Sequence, residues 1–200
     1  MPPRTRYTPD RILDAALALT RETGIEGVSA RTLAGRLGCS TGPVSSHFAS
    51  MEALHEQLLE RIIDLFVVAS SRPVDPDPLL AVGVGWLRFA TTEPRLYEAL
   101  FLRHHSWHAK WGPVRRKLAD RMAEHPRYAH LDRPARFALV GRASIVLHGL
   151  GVEIWSGRLP LSSPDDLQRV VAQFTLPVVD AALSQGWTDD LHSQLTGASP

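Results

Sequence analysis

The 200-residue chain contains a single cysteine, Cys39, and therefore cannot form an intrachain disulfide. Such low cysteine usage is consistent with the reducing cytoplasm, where we expect the protein to reside. The sequence has no run of about 18 apolar residues, so we expect no membrane span and no membrane partner. No apolar segment follows the basic residues at the start of the chain, which predicts that they are not part of a signal peptide.

The chain also lacks the motifs that most enzyme classes require. A glycine-rich phosphate loop, a nucleophile elbow and a carboxylate dyad are all missing, and Cys39 has no histidine at catalytic spacing. His104, His105 and His108 form the one cluster that suggests a metal, but no cysteine or close carboxylate joins them. We therefore predict no enzymatic activity, no cofactor and no metal site, and interpret these histidines as a polar rim or pocket entrance.

Charge gives only weak support for nucleic-acid binding, because the net charge is +1. The distribution is more informative, since residues 1–50 carry six arginines against four acidic residues. Arg4, Arg6 and Arg11 lie together at the start, where an arm could reach a phosphate or a minor groove. A solvated tail is the alternative interpretation of the same residues.

Apolar residues recur at helical spacing throughout and strand signals are almost absent, which predicts an all-α protein of about nine helices. The most informative stretch is 28–54, which resembles two short helices joined by a tight turn. Ser29 is a good N-cap for the first of these helices, and Gly38 has the permissive backbone that ends it. We expect Ser40 to cap the second helix, in which Val44 and Phe48 would face inward.

The outward side of this second helix has small or hydrogen-bonding side chains and no large apolar one. That composition is expected of a helix inserted in a DNA major groove, where bulk would clash and donors contact bases and phosphates. The N-terminal amides of the preceding helix favour a phosphate, although simple capping is the alternative there. The predicted DNA-binding residues are Ser29, Arg31, Thr32, Thr41, Gly42, Ser45, Ser46 and His47.

Three prolines between Arg72 and Pro78 mark the best boundary in the chain. We predict a three-helix DNA-binding domain at 1–50, a long linking helix at 51–71, and a helical ligand-binding and dimerisation domain at 72–200. Further helices are expected at 79–91, from Pro94, from about Pro113 to before His125, at 134–157 and at 164–186.

The helix predicted at 134–157 is apolar nearly all round and must be buried on several sides. Together with the last helix it could form a two-fold symmetric four-helix bundle with a second copy of the chain. We therefore predict a homodimer through the last two helices. The alternative is that both helices only close the core of one subunit.

Aromatic residues are concentrated in the C-terminal module, as expected of an apolar pocket for a small apolar or aromatic molecule. The residues predicted to bind such a ligand are Trp86, Phe89, Tyr97, Phe101, Trp107, Trp111, His148 and Trp155. The alternative interpretation is that they form an ordinary core and a subunit interface.

Several ordered motifs resemble the TetR family of transcriptional regulators over nearly the whole chain. They are ILDAALALTRETG, then VSARTLAGRLGCSTGPVSSHF, then ASMEAL, with Gly24, Gly38, Ser40, Gly42, His47, Phe48 and Leu54 at the expected positions. A looser match is SIVLHGLGVEIWSG, whose His148-Gly149 element resembles one subgroup. The resemblance implies a homodimeric repressor that binds a palindromic DNA operator and is released by a small-molecule effector.

Two departures from the family pattern affect this interpretation. Ser45 stands where relatives usually have tyrosine, and Met51 where they have lysine, and those side chains commonly touch DNA phosphates. Each lost contact is worth on the order of 1–3 kcal/mol. Other residues, among them Arg31, Thr41, Ser46 and His47, would have to replace them. Two alternatives stay open: a regulator-like protein that has lost specific DNA binding, and a small helical enzyme.

Overall fold

A computed structural model describes residues 7–72, 74–103, 108–161 and 163–187 of the chain, with the side chains of 108–110 outside that description. Within these residues there are nine α-helices and no strand, so the predicted all-α fold is confirmed. The helices are α1 (Pro9–Thr23), α2 (Ala30–Leu37), α3 (Gly42–His47), α4 (Met51–Ser70), α5 (Pro78–Thr92), α6 (Pro94–Tyr97), α7 (His108–Met122), α8 (Arg133–Trp155) and α9 (Pro164–Ser184).

Most helices begin where a short polar side chain accepts a hydrogen bond from an amide of the first turn. The capping residues are Thr8, Ser29, Ser50, Asp77, Asp132 and Ser163. These local signals explain why most helix starts lie within one or two residues of those expected from the sequence.

Two predicted helix starts are wrong. The N-cap of α3 is Thr41, without a side-chain cap bond, rather than Ser40. The carbonyl of Thr41 is the first to accept helical bonds, from the amides of Val44 and Ser45. α7 begins at His108 and contains Pro113. Proline there removes one backbone hydrogen bond, which the packing of the apolar face of α7 offsets.

The chain forms two compact units. The first contains residues 1–65 together with Glu93–Arg103, a segment that includes α6 and a π-helical turn at Glu98–Leu102. The second contains residues 66–92 and 104–200. The predicted boundary at 72 remains a prediction, but the structure groups Glu93–Arg103 with the N-terminal unit.

In the first unit, α1 packs on α2 and on α6. Two ion pairs fix the Glu93–Arg103 segment in this unit. Arg21 makes a bidentate pair with Glu93, with N–O distances of 2.8 and 2.9 Å, and Nε of Arg103 lies 2.9 Å from Oε1 of Glu26. Planar two-point contacts of this kind set orientation as well as adding energy.

In the second unit, α8 packs against α5, α7 and α9. By length and composition α8 could cross a membrane, but half of its most apolar window is buried within the unit. Its hydropathy is therefore that of a core helix. α5 approaches the end of α4 closely, because a Cβ on Gly85 would lie 2.4 Å from the Cα of Ser70. This approach places the last turns of α4 in the core of the second unit.

Candidate nucleic-acid interface and internal cavity

The predicted turn between α2 and α3 is present and depends on Gly38. This residue has φ 67° and ψ 41°, the left-handed conformation that glycine adopts without steric cost. The amide of Cys39 then bonds to the carbonyl of Ala34 at 3.0 Å and closes the turn. Val44 and Phe48 are buried, as the sequence predicted. α3 is thereby held with its polar side outward.

The structure exposes nearly all the residues predicted to contact DNA. Arg31, Thr32, Thr41, Gly42, Ser45, Ser46 and His47 are exposed, and Ser29 is half-buried. They lie along the start of α2 and along α3. Apart from one arginine, the exposed side chains are small and polar, and they lie on two helices that contact each other.

Ser29 and Thr32 are also engaged in a reciprocal capping box. Oγ of Ser29 accepts from the amide of Thr32 at 3.2 Å, and Oγ1 of Thr32 accepts from the amide of Ser29 at 2.9 Å. This arrangement satisfies two amides at the start of α2. The capping interpretation of these two residues is therefore realised, and their contact with DNA remains a prediction.

The serines of α3 donate to their own helix. Oγ of Ser45 lies 3.1 Å from the carbonyl oxygen of Gly42, and Oγ of Ser46 lies 2.9 Å from that of Pro43. Their hydroxyl protons are thus directed at the backbone, whereas the oxygen lone pairs face solvent. A hydroxyl must rotate away from the helix before it can donate to a phosphate.

His47 makes a contact that the sequence did not reveal. Its Nε2 lies 2.7 Å from the carbonyl oxygen of Tyr7. Because a carbonyl only accepts, Nε2 carries the proton in this tautomer. The last residue of α3 therefore holds the chain immediately after the basic segment at 1–6.

Of the arginines that the structure describes in this unit, most form ion pairs. Arg36 pairs with Glu22 at 2.8 Å and Arg61 pairs with Asp14 at 3.1 Å, in addition to the pairs of Arg21 and Arg103. Arg31 is exposed and has no ion pair among the residues that the structure describes. Its charge is therefore the one on α2 most available to a polyanion.

The second unit contains a small, partly open cavity of about 30 Å³. Four helices contribute to its wall, each through residues on one face. The lining residues are Phe66, Leu79, Val82, Trp86, Trp111, Val114, Arg115, Leu118, Val140, Ala143, Ser144 and Leu147. The wall is apolar except for the side chains of Arg115 and Ser144 and the indole nitrogens.

Only part of the predicted ligand set lies at this cavity. Trp86 and Trp111 line it, and Phe89 packs beside it, 5.5 Å from Phe66 between ring centroids. Tyr97 and Phe101 belong to the first unit, where their rings lie 4.9 Å apart.

The remaining predicted ligand residues lie on α8 or beyond the described residues. His148 is half-buried, and this burial lowers the pKa of its imidazole. Trp155 is exposed on the outside of α8. Trp107, His104 and His105 are outside the described residues, as is the side chain of His108. Among the residues that are described, no group of three or more potential metal ligands occurs.

Phe66, Arg115 and Ser144 line the cavity but were not predicted from the sequence. A usable signal exists, because Trp111, Val114, Arg115 and Leu118 follow the spacing of one helix face, as do Val140, Ala143, Ser144 and Leu147. Arg115 was not predicted because it is a charged residue on a helix face that is otherwise apolar.

α8 and α9 carry an exposed apolar surface. Ile145 is 63% exposed, Phe174 is 52% exposed, and Trp155 is 37% exposed. Gly149 lies on the exposed side of α8, and a Cβ added there would meet no atom within 4 Å. Large apolar side chains that remain exposed on neighbouring helices are typical of a protein interface.

Comparisons with known proteins agree with the helix-turn-helix and with the all-helical fold. The family model described as bacterial regulatory proteins, tetR family, matches residues 12–58, which span α1 to the middle of α4. The chain is 25% identical over 109 residues to YobS, an uncharacterized HTH-type transcriptional regulator of Bacillus subtilis. That match covers 52% of this chain and just over half, 57%, of the relative.

Solved structures show the same fold over most of the chain. A transcriptional regulator from Rhodococcus sp. RHA1 has a TM-score of 0.60 at 19% identity, covering 87% of this chain and 97% of that one. A TetR family protein from Vibrio parahaemolyticus gives 0.56 at 20% identity, covering 84% and 96%. A TetR-like transcriptional regulator from Rhodococcus sp. RHA1 gives 0.58 at 16% identity, covering 90% and 98%.

Proposed function

We propose that the chain, whose residues 12–58 match the family model described as bacterial regulatory proteins, tetR family, is a DNA-binding transcriptional regulator of that family. In this proposal it acts in the cytoplasm as a homodimer on a palindromic operator, and a small effector relieves repression. The observation that supports it best is the exposed polar surface along the start of α2 and α3, which includes the exposed Arg31.

This surface suits a major groove for physical reasons. Its side chains are small enough to let the backbone approach base edges, and none of its exposed members is a large apolar residue. Ser45 and Met51 supply neither the ring hydroxyl nor the ammonium group usual in relatives. DNA affinity in this chain therefore depends on Arg31, on the groups of α3, and on the basic segment that follows Met1.

Selection from random duplex DNA tests the proposal directly. We expect the purified protein to enrich an inverted repeat, with half-sites spaced to match two copies of α3. Fluorescence anisotropy of the winner at two salt concentrations should show a steep loss of affinity at the higher one. If no sequence is enriched, the chain has lost specific DNA binding.

The exposed apolar surface of α8 and α9 supports the homodimer. Ile145 and Phe174 would be buried by a second copy of the same two helices, and Gly149 would allow close approach. Sedimentation of the wild-type protein should give a dimer. Ile145→Glu should shift the equilibrium toward monomer, because it would bury a charge in the interface.

The chain offers a matched control for that variant. Val68 on α4 is 64% exposed, almost the same as Ile145, but it lies on neither α8 nor α9. Val68→Glu should therefore leave the protein dimeric. A dimer that persists in Ile145→Glu, or that dissociates equally in Val68→Glu, would contradict an interface through the last two helices.

Relief by an effector requires that the cavity communicate with the DNA-binding unit. α4 connects the two units through the backbone. Residues 51–65 of this helix belong to the first unit, whereas the following residue, Phe66, lines the cavity of the second. A ligand that displaces Phe66 would bias the position of α4. It can do so only by binding the two states of the protein with different affinity.

A further inference from the structure

We infer that Ser45 and Ser46 of α3 recognise the operator as hydrogen-bond acceptors. They would therefore select an amino base, adenine or cytosine, over a keto base, guanine or thymine, on the strand that each serine faces. This inference rests on the proposed function, since it names the chemistry of the DNA sequence that the regulator binds. The hydrogen bonds of the two serines, the composition of α3 and the position of Gly42 carry it.

Both serine hydroxyls act as donors within the protein. Oγ of Ser45 lies 3.1 Å from the carbonyl oxygen of Gly42 and 3.3 Å from that of Thr41. Oγ of Ser46 lies 2.9 Å from the carbonyl oxygen of Pro43. A carbonyl oxygen only accepts, so each of these bonds uses the hydroxyl proton. A hydroxyl has one proton and two lone pairs, which leaves both serines able to accept a further hydrogen bond.

The two serines share one exposed face of α3 with Gly42. Positions 42, 45 and 46 are three and four residues apart, the spacing that brings residues together on one side of a helix. All three residues are exposed, whereas Val44, on the opposite side, is buried. The face of α3 that points away from the core therefore carries two hydroxyl oxygens beside a glycine.

α3 has no side chain of the kind that commonly makes two-point contacts with a base. Arginine, lysine, asparagine and glutamine do not occur in Gly42–His47. His47 already donates through Nε2 to the carbonyl of Tyr7, and its Nδ1 is an acceptor in this tautomer. Base contacts from this helix therefore consist of single hydrogen bonds, which Ser45 and Ser46 make as acceptors.

The major groove contains one amino donor in each base pair, and the base that carries it determines which strand an acceptor favours. The donor is N6 of adenine in an A·T pair and N4 of cytosine in a G·C pair, whereas O6 of guanine and O4 of thymine are acceptors. An acceptor on the protein pairs with either amino group and is repelled by either keto oxygen. Adenine and cytosine should therefore be interchangeable opposite each serine, and guanine and thymine should be disfavoured.

Reversal of this preference would require a serine to turn its proton outward. The bond to the backbone carbonyl would then be lost, which opposes the gain from donating to a keto oxygen. A hydroxyl that already donates is also a stronger acceptor, because linked hydrogen bonds polarise one another. The side chain of Thr41 makes no cap bond to α3, so its hydroxyl can turn either way and should show no such preference.

Gly42 allows these short side chains to reach the bases. A Cβ added there would meet only Oγ of Ser40, at the ordinary contact distance of 3.4 Å, and the residue does not have a positive φ. The fold therefore tolerates alanine at this position. A serine hydroxyl contacts a base only when the helix backbone comes close, and a glycine on the same face permits that approach. Gly42→Ala should keep the stability of the protein in urea but weaken its binding to the operator.

The test uses the wild-type protein and the operator obtained by selection. Each base pair is replaced symmetrically in both half-sites by the other three, and affinity is measured by fluorescence anisotropy at one salt concentration. Two positions should tolerate exchange of adenine and cytosine within about twofold, and should lose about fivefold or more on change to guanine or thymine. Where such a position holds adenine, unsubstituted purine, which lacks the N6 amino group, should also bind more weakly.

Variants assign the two positions to the two serines. Ser45→Ala and Ser46→Ala should each reduce the preference for amino bases at one position to less than about twofold. Ser46→Thr keeps a hydroxyl and should keep the preference. Ser40→Ala is the matched control, because Ser40 is an exposed serine that lies before α3, and it should leave both preferences unchanged.

The outcomes separate this inference from the proposed function. An enriched operator in which no position shows the adenine-or-cytosine pattern would overturn the inference alone, as would a pattern that survives both Ser45→Ala and Ser46→Ala. A preference for guanine or thymine that depends on either serine would mean that its proton turns outward, and would also overturn it. If no operator is enriched, the proposed function fails and the inference fails with it.

Discussion

Nε2 of His47 donates a 2.7 Å hydrogen bond to the carbonyl oxygen of Tyr7, and so joins the end of α3 to the chain just after its basic N-terminal segment. We expect this bond to position Arg4 and Arg6 for contact with DNA. Glutamine can place an amide donor near the position of Nε2, so His47→Gln should keep most DNA affinity. His47→Leu should lose at least fivefold, as measured by anisotropy on the selected operator.

A double-variant comparison separates positioning from direct contact. If His47 acts through the N-terminal segment, deletion of residues 2–6 should remove most of the effect of His47→Leu, because the two changes interrupt one interaction. Additive losses would instead mean that His47 itself contacts the DNA.

Arg31 and Arg36 form a natural pair for testing the electrostatics of α2. Arg31 lacks an ion pair among the described residues, whereas Arg36 pairs with Glu22 at 2.8 Å. Arg31→Gln should weaken binding to all sequences and reduce the slope of log affinity against log salt by about 0.9 per subunit. Arg36→Gln should change that slope much less. The reverse order would show that the phosphate contacts lie elsewhere.

The same substitution should have opposite effects at two glycines of the helix-turn-helix. Gly35 is exposed within α2 and has free space for a Cβ, so Gly35→Ala should stabilise the protein by about 0.5–1 kcal/mol. Gly38 has φ 67°, so Gly38→Ala should destabilise it by about 1–2 kcal/mol. Urea unfolding measures both, and a loss of stability in Gly35→Ala would contradict the open space described for it.

Tyr128 and Asp77 form a buried hydrogen bond in the second unit. The Tyr128 hydroxyl donates to Oδ2 of Asp77 at 2.7 Å, while Oδ1 of Asp77 caps α5 by accepting from the amide of Leu79 at 2.9 Å. Burial, and then this bond, raise the pKa of Tyr128 above its usual value. Tyr128→Phe should cost about 1–3 kcal/mol of unfolding free energy, because a buried carboxylate oxygen loses its donor.

A second variant checks the cause of that loss. Asp77→Ser keeps a capping oxygen but removes the carboxylate, so the double variant Tyr128→Phe/Asp77→Ser should be more stable than Tyr128→Phe alone. If the double variant is less stable, the unpaired carboxylate oxygen of Asp77 is not the cause of the loss.

His148 should make the protein less stable in mild acid. Burial lowers the pKa of its imidazole below the unfolded value of about 6.5, so the unfolded chain binds the proton more readily. Stability should be unaffected by this residue above about pH 7.5 and should fall as the pH drops through about 6.5. His148→Gln should show a smaller loss of unfolding free energy between about pH 7.5 and 5.5, and an unchanged loss would contradict the prediction.

The helix-turn-helix was predictable because its signals are local. Ser29 and Gly38 act through hydrogen bonds and dihedral angles within a few residues, and the buried positions of Val44 and Phe48 follow from helical spacing. The predicted cap at Ser40 failed because α3 starts one residue later than such a cap requires. Fine placement of this kind depends on the path of the turn, which composition does not specify.

The grouping of the aromatic residues was not predictable from sequence. Tyr97 and Trp86 are eleven residues apart and have similar apolar surroundings in the sequence, yet they belong to different units. That difference follows from long-range contacts, among them the pair of Arg21 with Glu93. Spacing along α7 could have associated Arg115 with Trp111, because four residues separate them on one helix face.

Because Glu93–Arg103 belongs to the first unit, the two units cannot be exchanged between proteins by a single crossover. The polypeptide passes between the units at three places, so no single cut yields both as continuous pieces. A hybrid that joins residues 1–65 to the C-terminal half of a related protein would lose the partners of Arg21 and Glu26 unless it also included the segment 93–103. Recombination between relatives should therefore retain this segment together with residues 1–65, even though it is encoded within the other half of the gene.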